Sequence, residues 1–589
     1  MKKYYKFFQI PGVGNLAGGL PNVQFFPFDS LEAQAAKPER WTPTPNHPGV
    51  AEMDLASGLK AVKIDSDPGA SSHMDIPKVV SETDPVKKID LATALQYGTA
   101  QGYPPLYSWV RQFTREHLHP NVPYQDGPEV ILTCGSTDGF SKTLQLFVDP
   151  WTPAHDVRDR PGLLCESFIY GNILSQSQPL GVQFVPVVAD DGGMVATGPG
   201  SLEDVLSNWD DAKGRRPHLM YTVTLGHNPT GVVLSVQRRR ELYAVCQKYD
   251  VIIVEDDPYW HLQFPSAEVE EAKSRHRPPP QSVQEFKPTK SSGYEFLDSL
   301  TPSFLSIDTD GRVVRIDTFS KTIAPGCRLG WLTAQPALIQ RYLMITETST
   351  QQPSGFVQSM VAELVMGPQP AAARAAFAAL RTAKERATFS GWKMDGWVRW
   401  LAGLRGAYER RMNRMCRILD DGSARLGTAR STHPSDADWG IVTKTPLFDF
   451  KWPRGGMFVW LRVHFERHPL WGARRTDGEG MIDGTAISTA LLLYLVRKPF
   501  LVIVSTGLMF SATEKVRTKM GWAFFRLCFA AETEENVDAA SQRFVEGLHS
   551  FWRIRKVEQL QDILGDAPFS VGTARNFSEE VGNLGGFGC

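Results

Sequence analysis

The sequence predicts an α/β protein in which a mostly parallel sheet lies between two layers of helices. Three observations carry this. Short apolar runs rich in β-branched residues recur along the chain: EVILTC (129–134), GLLC (162–165), LMYTVTL (219–225), VIIVED (251–256) and RVVRI (312–316). Their apolarity is continuous rather than alternating, which implies burial on both faces. Helical patterns separate them, as crossovers between parallel strands require.

Taken in order, the first run passes into GSTDGFSKTLQLF, where Phe140, Leu144 and Phe147 fall at helical spacing, so a helix begins close to Gly135 and Ser136. In a parallel sheet, ligands gather beyond the carboxyl ends of the strands, which directs attention to the residues after each run. The third run leads into GHNPTG, the fourth into EDDPYW and the fifth into DTFSKTIAPGCRLGW. Residues 265–293 combine a Pro run with charge and few large apolar side chains, the composition of an exposed loop insertion. Residues 366–391 are Ala-rich and predict an additional helix. From GWVRWLAGLRGAYERRMNRMCRIL onward, a long amphipathic helix leads into a different, carboxy-terminal domain. Residues 421–450 are polar and irregular, and no element is assigned to them.

Bulk properties exclude several classes. The chain has 589 residues, 42% of them hydrophobic, with 63 basic against 64 acidic residues spread along it, so no nucleic-acid footprint is expected. The opening MKKYYKFFQIPG lacks an apolar h-region, and the longest apolar stretch, ALLLYLV (490–496), is too short to span a bilayer. A cytoplasmic location is the expectation. Seven scattered cysteines without a CxxC argue against a disulfide framework and a zinc site, and no metal is expected.

Taken singly, the polar residues after the runs have ordinary explanations as surface or turn formers. One cofactor accounts for all of them. Pyridoxal 5′-phosphate needs a lysine amine for its aldehyde, a carboxylate for its ring nitrogen, and hydroxyls, amides and cations for its phosphate. Lys321 supplies the amine, with desolvation and Arg328 favouring its neutral form. Asp256, ending the VIIV run, faces the ring nitrogen. Tyr259 and Asn228 are placed to bond the ring's 3-oxygen. Gly135, Ser136 and Thr137 at a helix start offer N–H groups and hydroxyls to the phosphate, and Thr318, Ser320 and Arg328 complete the cup.

In that order, GHNPTG, EDDPYWHLQF, TFSKTIAPGCRLGW, RGGMFVW and FFRLCFA resemble the class I/II aminotransferases of the fold type I pyridoxal-phosphate superfamily. LAGGLPNVQFFPF and LQYGTAQGYPPLYSWV are similar to the branch with kynurenine/2-aminoadipate and fungal aromatic amino acid aminotransferases. The resemblance implies a large cofactor domain at 80–395, an amino-terminal arm and part of a small domain at 1–79, and a carboxy-terminal small domain at 396–589. The small domain would be α+β and built from both termini. It also implies a homodimer with shared sites, in which Tyr97 reaches the neighbour's phosphate. Tyr170 would stack on the ring, Arg526 would grip the substrate α-carboxylate through two parallel hydrogen bonds, and Gly19 would line the substrate pocket. Thr318 stands where serine is usual, and His227 where an amide residue is common. Asp256 and Lys321 lie 65 positions apart, a longer separation than in compact relatives because of the Pro-rich segment between them.

The expected reaction is ping-pong transfer of an amino group from an aromatic or 2-aminoadipate-like amino acid to a 2-oxo acid such as 2-oxoglutarate. A β-lyase or another pyridoxal-phosphate reaction on the same scaffold is the rival enzyme reading. A non-catalytic cofactor-binding regulator is the rival from another class. Such regulators carry an amino-terminal DNA-binding module, for which the position of LAGGLPN from Leu16 leaves little sequence.

Overall fold

The computed structural model describes residues 21–46, 68–278, 288–429 and 441–565, apart from 368, 383–384, 387–388, 477 and 479. All five apolar runs become strands of one seven-stranded sheet. Its order is Glu129–Thr133, Gly330–Ala334, Val313–Thr318, Ile252–Asp256, Leu219–Thr222, Gly162–Glu166 and Gln183–Val187. Every neighbouring pair is parallel except those made by Gly330–Ala334, which runs against both of its partners. Val313–Thr318 and Gly330–Ala334 are buried along their whole length, as continuous apolar runs require.

Helix Ser136–Phe147 starts directly after the first strand, with Gly135 as its cap residue, and buries Phe140 and Leu144. Its Gly139 lies so close to the sheet that a Cβ there would meet Leu332 Cδ2 at 3.1 Å. The Ala-rich stretch contains helix Ala371–Ala378. The long amphipathic helix is Asp395–Gly422, which buries Trp397, Leu401, Met412, Met415 and Leu419 along one stripe. Beyond it lies a four-stranded antiparallel sheet in the order Phe448–Phe450, Phe458–Val463, Phe524–Cys528, Ser505–Thr506. The amino-terminal strands Ser30–Ala36 and Ser71–Pro77 pair with each other.

The segment read as an exposed loop insertion at 265–293 departs from that expectation in its first half. Ala267–Ser274 is a helix docked on Asp395–Gly422. Ser266 donates through its N–H and Oγ to Glu409 Oε1 at 2.8 and 2.6 Å, and Ser274 Oγ and Arg275 Nε reach Asp420 at 2.8 and 3.0 Å. Polar residues that read as solvent-seeking are answered by polar residues of the long helix, and pairing of that kind leaves no mark on local hydropathy. Residues 279–287 of the segment lie outside the described residues. In the stretch left unassigned, Ala424–Ala429 and Ile441–Pro446 form an antiparallel ribbon.

Candidate active site

The carboxyl ends of the parallel strands bring together residues far apart in sequence. Ile316 sits opposite Asp256 in the register of the adjacent strands Val313–Thr318 and Ile252–Asp256. Lys321 closes a 3₁₀ turn, Phe319–Lys321, immediately beyond the first of these strands, so the lysine and the carboxylate share one edge of the sheet. Lys321 is half-buried and Asp256 is buried.

Alternation along the strand separates Asp256 from its acidic neighbours. On one face, Glu255 and Asp257 meet Arg315, with Arg315 Nη1 at 3.1 Å from Glu255 Oε2 and 3.0 Å from Asp257 Oδ2. Arg239 and Asp317 complete that buried network. On the other face, Asp256 Oδ2 accepts from Tyr221 Oη at 2.8 Å, while Oδ1 is buried with no hydrogen-bond partner among the described residues. Burial lifts the Asp256 carboxyl to about 7, helped by the neighbouring Asp257 charge and opposed by the hydrogen bond from Tyr221 and by the nearby Ser136 hydroxyl.

Beside Asp256, within reach of its carboxyl through Ser136, lies a cradle of close backbone approaches. Gly135 has φ +89, a conformation that favours glycine, and a Cβ there would meet Arg328 Nη2 at 2.9 Å. A Cβ on Gly330 would meet Gly135 Cα and Thr318 Cα, each at 3.2 Å. Helix Ser136–Phe147 has no side-chain cap bond, and the Ser136 Oγ is buried without a hydrogen-bond partner among the described residues. Thr318 Oγ1 and Ser320 Oγ lie 2.9 Å apart. Arg328 is exposed, holds φ +45, and donates from Nη1 to Pro325 O at 2.9 Å. Thr137 is exposed, and its Oγ1 accepts from Asn172 Nδ2 at 3.4 Å.

From the smaller sheet comes Arg526. Its guanidinium carbon lies 4.2 Å from the centre of the Phe458 ring and 4.7 Å from that of Phe510, and Nη1 donates to Asn228 Oδ1 at 2.8 Å. Ser505 Oγ accepts from Nη2 at 3.5 Å. Tyr259 packs edge-on against Phe458 with ring centres 5.8 Å apart; burial raises its hydroxyl pKa, and the Arg526 charge opposes the rise. Tyr170, half-buried, is near enough to Tyr259 and Tyr221 to influence both electrostatically. Tyr97 stands apart, 66% exposed. Gly19 lies outside the described residues.

Four neighbours escaped the sequence reading. Tyr221 sits inside an apolar run and reads as core. Phe458 lies in RGGMFVW, a motif to which no site role is given, and Phe510 lies in no motif. His227, which stands where an amide residue is common, has its Nε2 3.6 Å from Glu166 Oε2, with both residues buried, and Thr222 Oγ1 donates to Glu166 Oε1 at 2.6 Å. A hydropathy pattern marks which side chains are inside and leaves open which of them face one another.

A buried acid whose carboxyl is pushed up to about 7, an uncapped helix start flanked by hydroxyls and an arginine, and a lysine just beyond the strand next to the acid's fit pyridoxal phosphate, each filling one of its chemical demands. Such a set defines a cofactor-dependent enzyme acting on amino groups. The family model for aminotransferase class I and II matches residues 185–390. The chain is 32% identical over 496 residues to an L-tyrosine:2-oxoglutarate aminotransferase of Tapinella panuoides, covering 83% of this chain and 76% of that one. It is 29% identical over 534 residues to an aromatic amino acid aminotransferase of Schizosaccharomyces pombe, covering 90% of each. The crystal structure of aminotransferase Aro8 from Candida albicans superposes with a TM-score of 0.67 at 27% identity, covering 94% of this chain and 95% of that one. The chain belongs to the class I/II aminotransferases, and its cofactor is pyridoxal 5′-phosphate. No helix among the described residues is long and apolar enough to cross a membrane.

Proposed function

We propose that this aminotransferase takes its amino group from an aromatic amino acid and passes it to 2-oxoglutarate. The observation that supports an amino acid donor is the Arg526 guanidinium, buried 4.2 Å from the centre of the Phe458 ring and 4.7 Å from that of Phe510, a receptor for the α-carboxylate set among aromatic side chains. The names of the relatives point the same way.

Bound pyridoxal phosphate supplies an electron sink conjugated to the substrate α-carbon. The residues of the chain do the rest. Lys321 Nζ would hold the cofactor's aldehyde carbon, and its amine would accept and return the proton at the substrate α-carbon. Asp256 holds the ring-nitrogen proton in place. Asn228 and Tyr259 would bond the 3-oxygen, Tyr170 would cover the ring, and Gly135, Ser136, Thr137, Thr318, Ser320 and Arg328 would receive the phosphate. Arg526 fixes the α-carboxylate with a two-pronged grip, which presents the C–H bond rather than the carboxylate to Lys321 Nζ.

The same proposal includes a homodimer in which Tyr97 serves the neighbour's phosphate, a large domain at 80–395 flanked by small-domain segments at 1–79 and 396–589, and a cytoplasmic location. An amino-donor screen with 2-oxoglutarate tests the function. Phenylalanine, tyrosine and tryptophan should give glutamate and the matching 2-oxo acids with the highest kcat/KM. A preference for 2-aminoadipate or kynurenine, or release of ammonia and pyruvate, would sink the aromatic assignment.

A further inference from the structure

Helix Ser136–Phe147 carries Asp138 in its first turn, beside the N–H groups assigned above to the phosphate. A carboxylate there stabilises a bare helix end, but it opposes a phosphate dianion arriving at the same N–H groups. The charge is answered locally. Asp138 Oδ2 accepts from Cys134 N–H at 2.9 Å and from Lys142 Nζ at 2.7 Å, and Lys142 Nζ also donates to Thr350 Oγ1 at 2.9 Å. Lys142 is 2% exposed and Asp138 15%, so solvent screens this pair far less than an ordinary surface pair.

We propose that Asp138 and Lys142 are positioning residues for the cofactor phosphate. Asp138 pins the Cys134–Gly135 turn through Cys134 N–H, and Lys142 cancels the charge that this pinning would otherwise set against the phosphate. The proposal rests on the reading that Gly135, Ser136 and Thr137 receive the phosphate.

The signs of the effects separate charge compensation from simple packing. Cofactor-free full-length protein and its variants are titrated with pyridoxal phosphate and with pyridoxal, which lacks the phosphate. Wild type should prefer pyridoxal phosphate. K142M should bind pyridoxal phosphate about tenfold or more weakly, while its affinity for pyridoxal stays within about twofold. D138N, whose amide oxygen still accepts from Cys134 N–H, should not weaken pyridoxal phosphate at all. The double variant should return to within about threefold of D138N, because the charge that needed cancelling is gone.

Unchanged affinity in K142M, an equal loss for both ligands, or losses that add in the double variant would overturn the pairing. A wild type that does not distinguish the two ligands would overturn it differently, by removing the phosphate assignment beneath it. Should K142M not fold, K142R and D138N carry the test. Both should keep the preference for pyridoxal phosphate, and a tenfold loss in D138N rules the idea out.

Discussion

Glu255, Asp256 and Asp257 are consecutive, yet they belong to two regions that treat charge in opposite ways. Behind the sheet, Glu255 and Asp257 are matched by Arg315 and Arg239, every member buried. In front of it, Asp256 has one hydrogen bond from Tyr221 and an oxygen with no partner among the described residues. A closed network makes a rigid support; an open acid is left for a ligand to complete. The half-turn between successive strand side chains is enough to assign one residue to each purpose.

The largest test of this contrast is Asp256→Asn. Activity should fall about 10³-fold, the scale of a lost interaction with the reacting system, while the stability of the cofactor-free protein at pH 7 should rise rather than fall, since a neutral amide escapes the cost of ionising a buried carboxyl. Steady-state kinetics and denaturant unfolding check the two halves, and a large stability loss would erase the distinction. Arg315→Met should do the reverse. It strands carboxylates without their cation and should cost about 3–5 kcal/mol of stability, read by urea unfolding.

The third test uses pH. Because the folded Asp256 carboxyl rises from 3.8 to about 7, the folded protein holds a proton that the unfolded chain has released across that window. The stability of cofactor-free protein that depends on this group is present below about pH 4 and is lost as pH rises to about 7. Thermal unfolding from pH 4 to 8 should show a downward slope that Asp256→Asn flattens. Added cofactor should flatten it too, since a ring-nitrogen cation opposite the carboxylate favours its charged form. An identical slope in wild type and variant would remove Asp256 as its source.

The smallest effect concerns the second sheet. Arg526→Lys keeps the charge but loses the planar fork, and should raise KM for aromatic donors about tenfold while lowering kcat less. A changed kcat with KM untouched would place Arg526 away from the substrate carboxylate.

Five strands, the start of helix Ser136–Phe147 and the long helix Asp395–Gly422 were legible because periodicity and continuous burial are local properties. Gly330–Ala334 was missed as a strand of the sheet: GWLTA is short, and its antiparallel return along Val313–Thr318 is a pairing that spacing alone does not announce. The docked helix Ala267–Ser274 was missed because its polar residues find their partners on an element more than a hundred residues away.

By itself the chain determined which residue types could serve a single cofactor, since an amine, an acid and a phosphate cradle each follow directly after an apolar run. Only the tertiary structure decided what compensates the two acids that flank Asp256, and that Arg526 meets Asn228 beside two phenylalanine rings. The reason is physical: burial can be read from neighbours along the chain, whereas compensation of a buried charge depends on whichever side chain the fold sets against it.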